Sequence, residues 1–415
     1  MPRVLVVADD LTGATDTAHA FARRGYETAV GIGPESDPPD ATVLAANTDS
    51  RYADADAAKP RVRRAISGTA AEVVYGKVDS TLRGNVAAEV HGAMDCGFDR
   101  GLVAPAAPAV GRLTACGHHL VDGRPLSDTE YAEDPNGPTS ARLPALFDGQ
   151  GRPARHLGIE TVAAVPEAVS EALADVPEGA VVTCDAVHDR HLEAVARAGR
   201  EIDGRTLFVG SSGLAGHIMV PGEPDREPQS VTNDGGALGI VGSVSERSLE
   251  QLAALPEMWV IALDPAELLR NPEDGGRRAG RRAAERLAAG EHAVVTAAPD
   301  REAVERTLER GRERGLDGEE IRERVTRALS SGARAALAGE PAGLFVTGGD
   351  VAMAVFGALD AEWLSLSGEE IEAGIPASRL RGGPADGTPV VTKAGGFGRE
   401  ETVINCLRFL GGDDE

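Results

Sequence analysis

The sequence predicts an α/β protein of two domains, each built on a mainly parallel sheet flanked by helices. The first observation is a recurring unit: a β-branched run, then a polar or glycine-containing turn, then an Ala/Leu/Arg stretch with helical spacing. Residues 3–25, RVLVVADDLTGATDTAHAFARRG, and residues 342–359, AGLFVTGGDVAMAVFGAL, are examples. The second observation is that strands such as VLVVA and AVVTAA are apolar, which is typical of sheets covered on both faces. Strands that alternate with helices favour parallel sheets.

The chain of 415 residues is long enough for two or three domains. Residues 220–236, VPGEPDREPQSVTNDGG, are rich in proline, glycine and acidic residues and have no periodicity, which is typical of a linker. We therefore predict a first domain over residues 1–220, a linker over 221–236 and a second domain over 237–415.

Two charged stretches of the second half need separate expectations. Residues 264–282, DPAELLRNPEDGGRRAGRR, indicate a helix joined to a surface loop. Residues 300–338 indicate mostly long charged helix, whose alternating signs are most simply a solvated face.

The net charge is −24, which repels polyanions and argues against nucleic acid or an anionic membrane as the main partner. The sequence contains no run of about 18 apolar residues, so it predicts no membrane span. The segment MPRVLVVADD leads directly into a predicted strand without the pattern of a leader peptide, so we expect a cytoplasmic protein.

The four cysteines, Cys96, Cys116, Cys184 and Cys406, form no CxxC pair. We expect small core residues there, with neither a disulfide framework nor a zinc site.

The basic residues are three lysines, Lys59, Lys77 and Lys393, and 39 arginines. The acid excess, the scarcity of lysine and the few aromatic residues are typical of proteins from salt-loving organisms. An acidic protein from a GC-rich genome is the alternative.

In parallel sheets, ligands bind at the carboxyl ends of strands. In the N-terminal half the residues after strands are charged, in VVADDLTG, LAANTDSR and VVYGKVDSTLRGN. They suit a small anionic substrate: Arg51 and Arg83 can hold a carboxylate, and Asp10 or Asp79 can accept from hydroxyls or act as base. Alternatively, the first motif is only a helix N-cap. The candidate substrate-binding residues are Asp9, Asp10, Arg51, Lys77, Val78, Asp79, Ser80, Arg83 and Asn85.

In the C-terminal half the equivalent positions are glycines and hydroxyls, in IVGSVSERS, FVTGGD and VTKAGGFG. Glycines let backbone amides approach a phosphate, and the following helix N-terminus adds its dipole. One such turn alone could be only a tight strand-to-helix connection, and neither GxGxxG nor GxxxxGK[ST] occurs, so the prediction depends on the set. The candidate ATP-binding residues are Gly242, Ser243, Thr347, Gly348, Gly349, Asp350, Lys393, Ala394, Gly395 and Gly396.

Histidines give weaker signals. HDRH at 188–191 could be a metal pair, although capping and surface roles are the simpler interpretation. His118 and His119 lie in GHHLVDGRPLSDTEYAEDP, a long polar stretch that is either a substrate-side loop or a simple connection.

Six motifs together resemble the four-carbon acid sugar kinase family: ADDLTGATD, KVDSTLRGN, GRPLSDTEYAEDP, GS with Gln251 downstream, TGGD and VTKAGGFG. The resemblance covers essentially the whole chain. It implies an N-terminal domain for a tetronate-type acid, a C-terminal domain for ATP, and reaction in the cleft between them. By position, it implies substrate contacts at Asp10, Arg51 and residues 77–80, and ATP contacts at Ser243 and at the turns around Gly348–Asp350 and Gly395–Gly396. One departure is Ser248 in GSVSERSLEQ, where the family pattern has threonine.

The resemblance implies an ATP-dependent kinase that phosphorylates the terminal hydroxyl of threonate, erythronate or 3-oxo-tetronate. We favour Asp10 as the base, and expect Mg²⁺ to bridge the phosphates through few protein ligands. Lys393 would neutralise a phosphate as a point charge, unless three lysines are too few to be meaningful. A homodimer is the default. The rivals are a nucleotide-dependent oxidoreductase of a small hydroxy acid and an acid-sugar sensor without turnover.

Overall fold

The structure is a computed structural model that describes residues 1–33, 38–149, 151–165, 167–225 and 231–412. The chain divides into two compact units, Met1–Glu227 and Pro228–Glu415, called here the N-unit and the C-unit. The predicted linker, 221–236, spans this division, and its residues 226–230 lie outside the described part of the chain.

The N-unit alternates strands and helices from its first residues. The amphipathic pattern of α6, for example, buries His191, Leu192 and Val195 on one face. The elements are β1 (Val4–Ala8), α1 (Leu11–Ala22), β2 (Thr28–Gly31), β3 (Val43–Asn47), α2 (Ala55–Gly68), β4 (Val73–Lys77), α3 (Val86–Met94), β5 (Arg100–Ala104), β6 (Arg112–Ala115), β7 (His118–Val121), β8 (Arg124–Pro125), β9 (Ala154–Leu157), α4 (Ile159–Val162), α5 (Glu167–Ala174), β10 (Ala180–Cys184), α6 (Asp189–Glu201), β11 (Thr206–Gly210) and α7 (Ser212–Ala215).

The main sheet of the N-unit has the strand order β2-β3-β1-β4-β11-β5-β10-β9, and each of these pairings is parallel. All five residues of β1 are buried, as expected for a central strand covered on both faces. A separate antiparallel sheet, β6-β7-β8, contains His118 and His119. The long polar stretch that was expected to be a loop or a simple connection is therefore partly regular structure.

The C-unit begins its regular structure at Leu238. Its elements are β12 (Leu238–Val241), α8 (Glu246–Ala253), β13 (Val260–Ala262), α9 (Pro265–Arg270), α10 (Pro272–Leu287), β14 (Ala293–Thr296), α11 (Arg301–Glu313), α12 (Gly318–Ala336), β15 (Leu344–Thr347), α13 (Gly349–Ala358), β16 (Trp363–Glu372), β17 (Ile375–Arg381), β18 (Pro389–Lys393) and α14 (Thr402–Gly411).

The sheet of the C-unit has the strand order β13-β14-β12-β15-β18-β17-β16. The pairings from β13 to β18 are parallel, whereas β17 pairs antiparallel with both β18 and β16. Phe345, Val391 and Leu407 belong to the buried core beside it. The α/β prediction with mainly parallel sheets is confirmed. Among the described residues, no helix is both long enough and apolar enough to span a membrane.

The two predictions for charged stretches had different outcomes. The expected loop in 264–282 is helical, because Pro272 occupies the first turn of α10, and Gly276 and Gly280 pack against the backbone of α12, where a Cβ would overlap carbonyl oxygens. Residues 300–338 are mostly helical, as predicted, but in two helices: α11 ends before Gly315, whose φ is 76°, and α12 starts with a capping box at Asp317.

The cysteine prediction was half right. The four cysteines are free, and Cys184 and Cys406 are buried. Cys116, by contrast, is exposed, and its φ of 51° places it in a left-handed turn between β6 and β7.

Candidate active site

Charged side chains of the N-unit meet where three strands end side by side. Ala8 at the end of β1 pairs with Asn47 of β3 and with Lys77 of β4, so the residues that follow these strands lie at one edge of the sheet. We call this group of side chains the charged centre. It consists of Asp9, Asp10, Arg51, Lys77, Asp79 and Arg83.

Arg51 joins the two aspartates of the first motif. Its Nε and Nη2 donate to Asp9 at 2.7 and 2.9 Å, and its Nη1 and Nη2 donate to Asp10 at 2.7 and 2.9 Å. A guanidinium has five N–H donors, so four of them serve these carboxylates. The expectation that Arg51 holds the carboxylate of a ligand is therefore corrected, because its donors are committed within the protein.

The charges of this cluster oppose the effect of burial. Burial by itself would lower the pKa of Arg51, but the carboxylates of Asp9 and Asp10 outweigh it and raise that pKa well above the usual value. For Asp9, burial wins and raises the pKa of its carboxyl even beside Arg51. Arg51 thus remains a cation that holds the position of both aspartates.

Asp79 and Arg83 form a further ion pair of the charged centre. Arg83 Nε and Nη2 donate to Asp79 at 2.8 and 3.1 Å, and Thr81 donates to the same carboxylate through its backbone and its hydroxyl. Burial would raise the pKa of Asp79, but Arg51 and Arg83 hold it well below the usual range. Arg83 and Thr81 occupy the carboxylate of Asp79, which was expected to accept from substrate hydroxyls, so we correct that expectation to a role in shaping the loop. Arg83 gives two of its five side-chain donors to Asp79, and its contact with a ligand carboxylate stays a prediction.

Lys77 is a cation of the charged centre with donors to spare. Its side chain is buried, and Nζ donates one hydrogen bond, to the Val78 carbonyl at 2.8 Å. An ammonium has three donors, so two are left for a ligand. A Cβ on Gly13 would lie 2.9 Å from Lys77 Nζ and 2.5 Å from Asp10 Oδ1. Gly13, which the sequence analysis missed, therefore keeps open the space where this cation and this carboxylate meet.

Asp10 caps helix α1 and is also the accessible carboxylate of the charged centre. Its Oδ1 accepts from Gly13 N at 2.8 Å, so the N-cap interpretation is correct. Its side chain is 26% exposed, against 1% for Asp9 and 10% for Asp79. A ligand in this site can therefore reach Asp10 more readily than the other two.

The remaining predicted substrate residues contact the protein backbone. Val78 donates its N–H to Gly210 and accepts from Lys77. Asn85 Nδ2 donates to the carbonyls of Ser50 and Ala53 at 3.0 and 2.7 Å, so it ties α3 to the loop that carries Arg51. We correct the expected substrate contact of Asn85 accordingly.

His119 contacts the backbone of the loop that contains Ser80. Its Nε2 lies 2.8 Å from the Ser80 carbonyl, and its Nδ1 lies 3.0 Å from the Thr114 hydroxyl. Burial lowers the pKa of His119 to about 4, so the ring is neutral at pH 7. His119 reaches the Ser80 loop and not the open space, and the substrate-side interpretation of this stretch stays a prediction. His118 is exposed.

The C-unit brings its glycine motifs together in the same way. Val241 pairs with Thr347, and Thr347 pairs with Lys393, so three turns follow neighbouring strand ends. We call residues 242–243, 347–350 and 393–396 the glycine-turn site. Gly348 has a φ of 99° before helix α13. A Cβ on Gly395 would overlap the Ser243 hydroxyl, which shows how closely the first and third turns pack.

Lys393 lies behind the third turn. Its Nζ donates to the carbonyl oxygens of Ala394, Gly395 and Phe397 at 2.9, 3.1 and 3.1 Å. These three bonds use every donor of the ammonium. The expectation that Lys393 meets a phosphate directly is therefore corrected: the lysine draws the carbonyls of the turn inward.

Side chains at the N-cap and within helix α8 donate hydrogen bonds to backbone carbonyls of the same turn and of the residues that follow it. Ser245 and Ser248 each donate to the Gly395 carbonyl at 2.9 Å, and Gln251 Nε2 donates to the carbonyls of Phe397 and Arg399 at 3.1 and 2.6 Å. Ser248 stands where the family pattern has threonine, and its hydroxyl makes the contact that a threonine hydroxyl would make. The departure from the pattern therefore has no structural consequence at this bond.

A cavity of about 320 Å³ opens beside the glycine-turn site. Glycine turns line one end, and α11 and α12 supply an apolar wall. These helices were expected to present a solvated face, and their apolar wall was not predicted, although the four-residue spacing of its apolar positions was a signal. The wall residues are Val304, Leu308, Ile321 and Val325.

The histidine pair at 188–191 forms no metal centre. The two rings meet edge to face at 5.5 Å, and His191 Nδ1 lies 3.3 Å from the Val187 backbone N–H. Across the described ranges, no group of three or more His, Cys, Asp or Glu side chains is placed to hold a metal ion.

The fold and the two sites define the class of protein: an α/β protein with a charged centre in its N-unit and a glycine-turn site in its C-unit. Family models agree, since residues 4–218 match a sugar-binding N-terminal domain and residues 238–403 match a nucleotide-binding C-terminal domain. A D-threonate kinase of Salmonella typhimurium is 34% identical, with 98% of each chain covered. A 3-oxo-tetronate kinase of Methylobacterium radiotolerans is also 34% identical, over 97% of this chain and 98% of its own. The chain belongs to the four-carbon acid sugar kinase family.

A solved structure shows the same fold. A Salmonella typhimurium protein superposes with a TM-score of 0.81 over 98% of each chain, at 22% sequence identity. The fold prediction is thereby confirmed independently of the sequence motifs.

Proposed function

We propose that the protein transfers the γ-phosphoryl group of ATP to the terminal hydroxyl of a four-carbon sugar acid, with D-threonate as the first candidate. One observation carries the proposal: the N-unit, matched by a sugar-binding model, has a buried ammonium with two uncommitted donors beside an accessible carboxylate. An acid with hydroxyl groups needs both. D-threonate is chosen because the Salmonella relative is named for it.

Lys77 and Asp10 have distinct roles in this proposal. Lys77 attracts the negative charge of the acid and donates to its oxygens. Asp10 accepts the proton of the attacking hydroxyl, as a carboxylate does in other phosphoryl transfers. Arg51 keeps Asp10 in place. Since a Cβ on Gly13 would approach both Lys77 Nζ and Asp10 Oδ1, one ligand group can contact both side chains.

The C-unit would hold the nucleotide. Amides of the third turn and the N-terminus of α13 provide donors for phosphate oxygens. The apolar wall of α11 and α12 suits a purine ring, because ligand pockets are mostly apolar with a few polar groups that fix orientation.

The donor set around the cavity fits Mg²⁺ with few protein ligands. Asp350 and Ser243 line the cavity and carry oxygen atoms, which Mg²⁺ prefers, and the ion usually keeps several waters. Bound there, it would neutralise charge on the phosphates. The chain's own residues still have to position the hydroxyl and remove its proton.

A coupled assay of ADP release tests the proposal. D-threonate, D-erythronate and 3-oxo-tetronate would each be offered with MgATP, and NAD⁺ or NADP⁺ would be offered in parallel. Release of ADP that depends on one of the acids supports the kinase. Reduction of the nicotinamide would indicate an oxidoreductase, and binding of an acid without ADP release would indicate a sensor.

A further inference from the structure

Glu89 is a buried acid beside the charged centre that the proposed mechanism does not use. It lies on α3 and is 7% exposed. Val62 and Ile66 of α2 line the same small cavity as Glu89, so its surroundings on that side are apolar. The charged groups that act on it are Asp9, at the end of β1, Arg51, in the loop after β3, and Lys77 of β4.

Three hydrogen bonds in series connect Glu89 with the end of β1. Glu89 Oε1 lies 2.6 Å from Ser50 Oγ, and Ser50 Oγ lies 2.7 Å from Thr48 Oγ1. Thr48 Oγ1 in turn lies 2.9 Å from the carbonyl oxygen of Ala8. Ser50 and Thr48 are both buried, so water does not readily replace any of these bonds.

The number of hydrogens determines the protonation state of Glu89. Two hydroxyl groups supply two hydrogens, whereas three bonds require three. The Ala8 carbonyl can only accept, so Thr48 donates to it and Ser50 donates to Thr48. The third hydrogen must then come from the carboxyl group of Glu89. An ionised Glu89 would leave one pair of oxygens in close contact with no hydrogen between them.

The environment favours the same state. Burial and then the negative charge of Asp9 raise the pKa of Glu89 to about 8, against the opposing effects of Ser50, Arg51 and Lys77.

The chain of hydroxyls supports the charged centre. The backbone N–H groups of Ser50 and Arg51 donate to the Asp9 carbonyl at 2.9 and 3.3 Å, so Ser50 belongs to the segment that presents Arg51. Asn85 and Glu89, one helical turn apart, both attach α3 to this segment.

We propose that Glu89 is a positioning residue that acts as a neutral acid. It donates a hydrogen bond to Ser50 and thereby fixes Arg51 between Asp9 and Asp10, and its ionisation at alkaline pH loosens this segment and slows phosphoryl transfer. The kinetic part rests on the proposed function, whereas the protonation of Glu89 does not.

The kinetic test measures kcat/KM for D-threonate with MgATP from pH 6 to 9.5, with each variant normalised to its own value at pH 6.5. The wild type should lose activity above about pH 8, by up to about tenfold per pH unit. Glu89→Gln should lack this fall, because its amide donates without titrating. Thr48→Val should move the fall to lower pH, because the Ser50 hydrogen becomes free to stabilise the carboxylate. An unchanged alkaline fall in either variant overturns the proposal.

A second readout needs no kinase activity. The pKa of Glu89 is raised to about 8 from 4.5, so between these values the native state binds more protons than the unfolded state. The wild type therefore loses stability as the pH rises through this range, and Glu89→Gln does not lose that contribution. The Tm of Glu89→Gln minus that of the wild type should increase from pH 5 to pH 8.

The two readouts separate the two proposals. A Tm difference that is independent of pH overturns the neutral Glu89, whether or not the protein is a kinase. A rising Tm difference without phosphorylation of any sugar acid contradicts the proposed function and supports the neutral Glu89. Should Glu89→Gln fail to fold, the pH at which Thr48→Val loses activity decides.

Discussion

Lys393 Nζ donates a hydrogen bond of 3.1 Å to the carbonyl oxygen of Gly395, two residues further along the chain. The lysine thus stabilises the turn that contains Gly395 and Gly396. This relationship explains why position 393 carries a lysine in a chain with 39 arginines. Three carbonyl oxygens can surround a compact ammonium group better than a planar guanidinium group.

Lys393→Arg should therefore damage nucleotide binding. The longer, planar group cannot direct its donors at all three carbonyls, so the turn and its amides should shift. We expect the KM for ATP to rise and kcat to fall, together by about tenfold or more in kcat/KM. Lys59→Arg is the matched control, because Lys59 is 41% exposed and its ion pair with Asp95 can be kept by arginine. Equal behaviour of the two variants would mean that the lysine is incidental.

Arg51→Ala should destabilise the protein strongly. Its removal leaves the buried Asp9 and the half-buried Asp10 without their shared counter-charge, a change that typically costs about 3–5 kcal/mol in a buried pair. Urea unfolding at pH 7 measures the loss. Arg306→Ala provides the control, since Arg306 is 44% exposed and pairs with the exposed Glu302, where a loss of about 0–1 kcal/mol is usual. Similar losses in the two variants would refute the structural role of Arg51.

Lys77→Met should raise the KM for the sugar acid far more than the KM for ATP. Methionine fills a similar volume but cannot donate, so the acid loses a charge-assisted contact worth about 1.5–3 kcal/mol, equivalent to about a tenfold to hundredfold rise in KM. The KM for ATP should change far less, because Lys77 belongs to the N-unit. Steady-state kinetics with each substrate varied in turn provide the comparison. Parallel rises in both KM values would count against separate acid and nucleotide sites.

Gly395→Ala and Gly396→Ala form a matched pair. A Cβ at Gly395 would overlap the Ser243 hydroxyl, whereas a Cβ at Gly396 meets nothing within 4 Å. Gly395→Ala should therefore lower the Tm and raise the KM for ATP. Gly396→Ala should keep the Tm but still raise the KM for ATP, since its methyl group occupies the space next to the turn amides. Normal ATP kinetics in Gly396→Ala would show that phosphate does not bind on this side.

The sequence predicted the strands and the residues that follow them, because apolar β-branched runs and glycine turns are local signals. It did not predict the partners of Arg51. An arginine close to aspartates can bind either a ligand or those aspartates, and the choice depends on tertiary packing that the sequence does not show. Lys393 shows the same limit. The sequence identified it as part of the glycine motif, but the direction of its ammonium group depends on where the turn conformation places the carbonyl oxygens. The helix α10 was missed because its glycines, which serve close helix packing, are locally typical of a loop.

Gly13 and His119 illustrate what else depends on tertiary structure. A glycine within a helix that starts with LTGATD gives no sign that two charged atoms lie close to where its Cβ would be. His119 acts on Ser80, 39 residues earlier in the chain, through a sheet that its polar sequence did not suggest. Both residues shape the candidate site from positions that composition and spacing do not reveal.

The most direct test of the central claim is the product formed from D-threonate and MgATP. Phosphorus NMR and mass spectrometry should detect a new phosphomonoester on the terminal carbon, formed in equal amount to ADP, and Asp10→Asn should form it far more slowly. ATP hydrolysis without a phosphorylated acid, or no reaction with any of the three tetronates, would contradict the assignment of this protein as an ATP-dependent tetronate kinase.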